Sequence, residues 1–158
     1  MSILFSGHEM LETAIEIERN GYTFYSELAR LGKAKFTFEH LADQEKRHEG
    51  IFRRMLDSLD QAPAPESYTG ELALYLKTLA SGRVFKSPQE AQEMAQKLSP
   101  EEAIRAAIGL EKDSILFYGE MRDLVRREER SVVDRIMDEE RGHVLQLSDL
   151  LSQMGETE

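Results

Sequence analysis

The chain predicts an all-α protein, with four long helices in two antiparallel hairpins joined by a long crossover that carries short helices. Three observations lead there. Apolar residues recur at i, i+3 or i+4, and i+7 through four extended stretches, the period of an amphipathic helix. Only 4 prolines occur among 158 residues, and strand-like alternation is hard to find. The stretches also come in two pairs, with a tight break inside each pair and residues 61–99 between the pairs.

In order along the chain, Ser6-Gly7-His8-Glu9 has the form of a capping box and starts the first helix, over about 7–31, which Gly32 ends. A tight turn leads to the second helix, over about 34–59, roughly 39 Å long at 1.5 Å per residue. Short connections make consecutive helices antiparallel neighbours. Gln61-Ala62-Pro63-Ala64-Pro65 then breaks the helical pattern. Within the crossover, 71–80 reads as a short helix with Leu72, Tyr75, Leu76 and Leu79 on one face, which either packs on the bundle or meets a second copy. Ser87-Pro88-Gln89-Glu90 starts another, with serine as the cap and proline at the first helical position. Ser99-Pro100-Glu101-Glu102 repeats that device and opens the third helix, over about 100–127. Ser131-Val132-Val133-Asp134 opens the fourth, over about 132–154. Residues 1–158 are expected to form one domain, long enough to bury a core.

A hydrophobic content of 41% with 32% charged residues suits a folded helical protein. The net charge of −10 opposes binding to nucleic acid or to anionic membranes. Cysteine is absent, which removes disulfides, thiolate nucleophiles, thiolate zinc sites and iron–sulfur clusters from these residues. Met1-Ser2-Ile3-Leu4-Phe5-Ser6 has no basic region and too short an apolar run for a signal peptide, and no segment approaches a membrane span. A cytoplasmic location is the expectation.

Four glutamates and two histidines depart from the helical pattern in one specific way. Glu18, Glu45, His48, Glu111, Glu140 and His143 each fall on the apolar stripe of a long helix, as in Phe38-Leu41-Glu45-His48-Phe52 and Val133-Ile136-Glu140-His143-Leu147. An ionised carboxylate in an apolar interior is costly unless it is paired, hydrogen-bonded or bound to metal. The two halves of the chain also resemble each other. Glu18 to Tyr25 aligns without gaps to Glu111 to Tyr118, an offset of 93, and Asp43 to His48 aligns to Asp138 to His143, an offset of 95. A hairpin with one Glu and one Glu-x-x-His, used twice, gives a pseudo-twofold bundle with a site on its axis. Because i and i+3 share a helix face, each Glu-x-x-His aims a carboxylate and an imidazole into one cavity. Glu45 and Glu140 would bridge two metal ions, with Glu18 and Glu111 closing the outer positions. Four carboxylates and two imidazoles suit iron or manganese, and such a site also accepts zinc. The competing explanation, a buried Glu–His hydrogen-bond network, must bury four carboxylates without a cation, since no lysine or arginine lies on these stripes.

Other residues carry less. Tyr22, one turn beyond Glu18, is a candidate catalytic residue, and Tyr25 and Tyr118 hold equivalent places in the repeat, where they could hydrogen-bond a ligand carboxylate. His40 falls off the ligand face, His8 lies near a helix start, and Glu49 and Glu139 point away on helical spacing. The charge runs at Arg53-Arg54 and Arg126-Arg127-Glu128-Glu129-Arg130 read as solvated faces.

With these motifs the chain resembles the ferritin-like superfamily, and most of all its rubrerythrin group, over nearly its whole length. The resemblance implies a ferritin-like four-helix di-iron protein, commonly a homodimer, that reacts with hydrogen peroxide or dioxygen. It also implies two iron ions per chain, with manganese or zinc as substitutes, on Glu18, Glu45, His48, Glu111, Glu140 and His143. Two departures stand out. Rubrerythrins typically carry a rubredoxin-type iron domain with paired Cys-x-x-Cys motifs, so this cysteine-free chain implies a separate electron donor protein. The peroxidase members also carry a further glutamate three residues after the third helix's ligand, where this chain has Ser114, with Gly21 as its repeat counterpart. Ferroxidase or oxidase behaviour gains from that change. The expected function is a di-iron carboxylate oxidoreductase, a peroxidase or ferroxidase linked to oxidative stress. The alternatives are an iron-sequestering protein with little turnover and a purely structural helical module.

Overall fold

The computed structural model describes residues 4–60, 67–82 and 85–156, and these are overwhelmingly helical. The order is β1 (Leu4–Ser6), α1 (Gly7–Arg30), α2 (Lys35–Asp60), β2 (Ser67–Thr69), α3 (Gly70–Ser81), α4 (Pro88–Lys97), α5 (Pro100–Arg122), a 3-10 turn at Arg127–Glu129, and α6 (Arg130–Glu156). Helices α1 and α2 form one hairpin and α5 and α6 the other. The two strands were not expected. They pair antiparallel over three residues, Leu4 opposite Thr69 and Ser6 opposite Ser67, and so tie the start of the crossover to the start of α1. The helix break assigned to Gln61–Pro65 and the segment Met1–Ile3 lie outside the described residues. Among the described residues, no helix is long and apolar enough to cross a membrane.

The helix starts follow their local chemistry. The Oγ atoms of Ser6, Ser87 and Ser99 accept from the backbone N–H groups of Glu9, Glu90 and Glu102 at 3.1, 3.1 and 3.2 Å. Each thereby satisfies a donor that the first helical turn cannot. At the end of α1, Lys33 N–H donates to Leu28 O and Gly32 N–H to Ala29 O, both at 3.0 Å. This is a Schellman closure, which needs its left-handed residue, and Gly32 supplies it at φ +76°.

One helix end differs from expectation. Helix α5 stops at Arg122 and not near residue 127: Leu124 N–H tightens the last turn onto Met121 O at 2.9 Å, and Val125 N–H makes a last helix-type bond to the same oxygen at 3.1 Å. Arg126 to Arg130 are good helix formers, so local propensity favours continuing. Burying Val125 in the core while the chain reverses into α6 outweighs that preference. Helix α6 accordingly begins at Arg130, slightly earlier than the serine start.

The core is divided along the bundle axis into two apolar clusters. One gathers Met10, Ala14, Phe52, Met55, Phe117, Tyr118, Val133 and Ile136, and α3 covers it with Ala73 and Leu76. The other gathers Phe24, Tyr25, Leu28, Phe38, Leu41, Ile104, Leu110 and Leu147, and α4 covers it with Ala91 and Ala95. The two crossover helices therefore close opposite ends. The packed face of α3 runs through Ala73, Leu76 and Leu79, while Leu72 and Tyr75 remain exposed. Helix α4 is held against α1 by Lys33, whose ammonium donates to Ala95 O at 2.9 Å and to Leu98 O at 2.6 Å and so occupies the helix's negative end.

The α1–α2 turn also holds Ala34 at φ +45°, a conformation that strains any residue with a Cβ. Gly32→Ala should therefore destabilise the fold by about 1–2 kcal/mol, whereas Ala34→Gly should leave it unchanged or slightly more stable. Urea unfolding midpoints of the two variants check both signs.

Candidate metal centre

Between the two apolar clusters lies a polar belt. Glu18 comes from α1, Glu45 and His48 from α2, Glu111 from α5, and Glu140 and His143 from α6, and all six are buried. They form two overlapping groups, Glu18–Glu45–His48–Glu140 and Glu45–Glu111–Glu140–His143, and within each group one ligand atom per residue lies within 4.8 Å of the others. Glu45 and Glu140 belong to both groups, the sharing that the repeated Glu-x-x-His motif predicts.

The outer carboxylates are held from behind by tyrosines of the opposite hairpin. Tyr25 OH on α1 donates to Glu111 Oε1 on α5 at 2.6 Å, and Tyr118 OH on α5 donates to Glu18 Oε1 on α1. In each case Oε2 is left without a partner. The pseudo-twofold of the sequence is thus present as a crossed pair of hydrogen bonds. His48 has a similar support, with Nε2 lying 2.6 Å from Glu139 Oε2, which also accepts from Arg47. A carboxylate at Nε2 favours a proton there, which would leave the Nδ1 lone pair to bind a cation. His48 Nδ1 lies 2.8 Å from Glu140 Oε1 and 3.5 Å from Glu18 Oε2, and His143 Nδ1 lies 3.5 Å from Glu111 Oε2.

Closeness is not satisfaction here. Seven ligand atoms make no aligned hydrogen bond: Glu18 Oε2, Glu45 Oε1, His48 Nδ1, Glu111 Oε2, both oxygens of Glu140, and His143 Nδ1. Buried polar atoms are paired in the large majority of cases, and orphaned ones each cost about 1–3 kcal/mol, more when charged. Among the described residues, no lysine or arginine pairs with any of the four carboxylates. Hard oxygen and imidazole nitrogen donors converging without a cation of their own fit iron, and they speak against a self-satisfied Glu–His network.

The electrostatics agree. Burial first, then the charges of Glu18 and Glu111, push the Glu45 carboxyl well above its usual range. Burial, then Glu111 and Glu45, do the same to Glu140. Burial alone would also raise Glu111, but Glu140, His143 and the Tyr25 hydroxyl together hold it below the ordinary value. For His48 burial works against the charged form, yet Glu18 and Glu139 outweigh it and raise the imidazole. Burial and the adjacent carboxylates raise Tyr25 and Tyr118 far up, so both stay protonated and remain donors. Without a cation, then, burial and mutual repulsion favour the protonated forms of Glu45 and Glu140.

Some expectations change at this point. Tyr22 is not in the belt: it is 37% exposed, on the outer side of the α1–α2 pair, with the Lys46 ammonium 5.7 Å from its ring centroid. One helical turn beyond Glu18 leads outward there, and the hydroxyls that reach the carboxylates are those of Tyr25 and Tyr118. Glu139 does not point away. It leans across to α2 and meets His48 and Arg47, a contact between helices that spacing along one helix does not reveal. Glu49 does stay outside, with Arg19 and Arg53. His40 is exposed, though its ring meets that of His143 edge-on at 6.3 Å. Ser114 donates to Leu110 O at 3.0 Å, folded back onto its own helix. Gly21 has a function that the sequence alone does not show, because a Cβ there would lie 2.5 Å from Glu45 Oε2, so the missing side chain makes room for the carboxylate.

Two outcomes follow for cation binding. A group whose folded pKa is raised favours the metal-free fold most at low pH and loses that contribution as pH rises through the raised value. A cation must displace the protons on Glu45 and Glu140, so the melting-temperature gap between iron-loaded and metal-free protein should widen from about pH 5 to about pH 8. Calorimetry in buffers of different ionisation enthalpy should show protons released on uptake. Gly21→Ala should push the Glu45 carboxylate aside and lower metal affinity by about 10- to 100-fold, with little change in metal-free stability. Chelator competition and thermal melts on the same samples separate the two effects.

The comparisons with known proteins point the same way. Residues 9–151 match the family model for rubrerythrin. A crystal structure from Thermotoga maritima, described as a ferritin-like diiron-carboxylate protein, is 28% identical, with a TM-score of 0.76 over 95% of this chain and 97% of that one. No curated protein matches the chain. With the matched segment spanning most of the chain and the fold shared end to end, the protein belongs to the rubrerythrin family, with the ferritin-like all-α fold and a glutamate–histidine cluster suited to iron.

Proposed function

We propose that the protein is a di-iron carboxylate oxidoreductase of rubrerythrin type that couples oxidation of an iron(II) pair to reduction of dioxygen or hydrogen peroxide. The observation that carries this reading is the set of seven buried ligand atoms without an aligned hydrogen bond, in two overlapping groups that share Glu45 and Glu140. Glu18, Glu45, His48 and Glu140 would hold one ion, and Glu45, Glu111, Glu140 and His143 the other. Bound iron supplies a reversible one-electron change at each ion.

The chain's own part is positioning and exclusion. Tyr25 and Tyr118 each hold one oxygen of an outer carboxylate and leave the other turned inward. Glu139 orients the His48 ring. The clusters around Phe52 and Phe38 exclude water from both ends of the belt, which strengthens every charge interaction inside it. Glu45 and Glu140, which take up protons when the charge beside them is low, are placed to exchange protons as that charge changes.

Ser114 bears on the choice of oxidant. With its hydroxyl on Leu110 O and glycine at the repeat-related position 21, neither place offers another carboxylate for ligand exchange. This favours dioxygen, and with it ferroxidase or oxidase activity, over efficient peroxide reduction. Electrons would return from a donor outside these residues, which hold no cysteine for a second iron centre.

Anaerobic iron(II) titration of the metal-stripped chain, followed by rapid mixing with each oxidant, tests the reading. Two iron ions per chain and a near-ultraviolet absorbance that develops faster with dioxygen than with equimolar peroxide are expected. Faster reaction with peroxide would restore the peroxidase reading. Stoichiometric binding with neither reaction would leave iron sequestration, and no stoichiometric binding would leave a structural bundle.

A further inference from the structure

The two halves of the belt differ just outside the six ligands. On the His48 side, Glu139 Oε2 sits 2.6 Å from Nε2 and is itself held by Arg47, whose terminal nitrogen also donates to Gln44 Oε1 at 3.0 Å. The chain Gln44–Arg47–Glu139–His48 thus spans the α2–α6 groove, with His48 fully buried at its end.

The repeat offset of 95 shows what the other half lacks. Glu139 corresponds to Gln44, so the place of the supporting carboxylate is taken by a neutral amide, and that amide is turned to Arg47. Arg47 corresponds to Gly142, where even an added Cβ would meet nothing within 4 Å, so no side chain takes the place of the clamping arginine. His143 is also the less enclosed imidazole, 5% exposed against 0% for His48, and its ring neighbour His40 is exposed. One histidine is oriented by a carboxylate that Arg47 also holds, and among the described residues its twin has neither member of that support.

We propose that Glu139 and Arg47 make the two cation positions unequal, the Glu18–His48 position binding a divalent ion tightly and the Glu111–His143 position filling last and emptying first. This rests on the reading that the belt holds a pair of divalent cations. Glu139 acts here as a positioning residue, through His48. Loss of such a support typically costs about 10- to 100-fold in metal affinity, which sets the expected separation. Mutual repulsion of two bound ions also produces two steps, so stepwise binding alone does not decide the matter, and selective variants do.

The probe is cobalt(II), titrated anaerobically into the metal-stripped full chain and followed by its visible absorption, with release to a chelator followed by stopped flow. In the native sequence two steps are expected, and His143→Ala should remove the weaker one. Glu139→Ala should weaken the stronger step by about 10- to 100-fold and leave the weaker step unchanged. Gln44→Glu, which restores the repeat's missing carboxylate, should strengthen the weaker step and slow release from it. Loss of the stronger step in His143→Ala would overturn the proposal, as would equal weakening of both steps, or of neither, in Glu139→Ala. Should Glu139→Ala fail to fold by circular dichroism, Gln44→Glu decides alone, because an unchanged weaker step overturns the proposal. Absence of any cobalt binding to the native chain would instead overturn the cation-pair reading and this inference with it.

Discussion

The cost of burying four carboxylates is the constraint on which the rest of this structure depends. Taking one such ion out of water costs several kcal/mol even after the surroundings relax, and lysine and arginine, the usual compensating partners, are not present among the described contacts. The belt is nonetheless enclosed by aromatic and aliphatic side chains on both sides. An arrangement so unfavourable as a bare polar core is consistent only if something neutralises it. In the metal-free chain burial and mutual repulsion favour protonated Glu45 and Glu140, and a cation would neutralise the belt better, because it meets several donors at once.

The repeat is an economical solution to that constraint. One hairpin supplies a carboxylate, a Glu-x-x-His pair and a tyrosine, and its pseudo-twofold mate supplies the same set. Because Tyr25 reaches Glu111 and Tyr118 reaches Glu18, each hairpin completes the environment of the other. Neither half is satisfied alone. The polar belt therefore couples the pairing of the hairpins to the formation of the site, while the crossover helices α3 and α4, one at each end, supply the apolar closure.

Much of this was legible in the residues. The periodicity of the four long helices, the serine–proline starts of α4 and α5 and the glycine stop of α1 are local effects, each resolved within a few residues by capping chemistry or φ preference. The six belt residues were legible for a different reason. A glutamate or histidine on an apolar stripe conflicts with its own surroundings, and six such conflicts at matching places in a repeat share one resolution. Where the third helix ends was not legible, because good helix formers continue through 126–130 and only the return of the chain over Val125 requires the stop.

The chain by itself determined the helices, their pairing and the identity of the inward carboxylates and imidazoles, since period, caps and pattern conflicts are written in neighbouring residues. Tertiary structure alone decided which tyrosines serve the belt, that Glu139 leans to His48, that Gly21 makes room for Glu45, and that strands at Leu4–Ser6 and Ser67–Thr69 pair. Each of these is a contact between elements far apart in sequence. Its existence depends on the rotation and height at which two helices pack, a quantity set by the whole core and by no single segment.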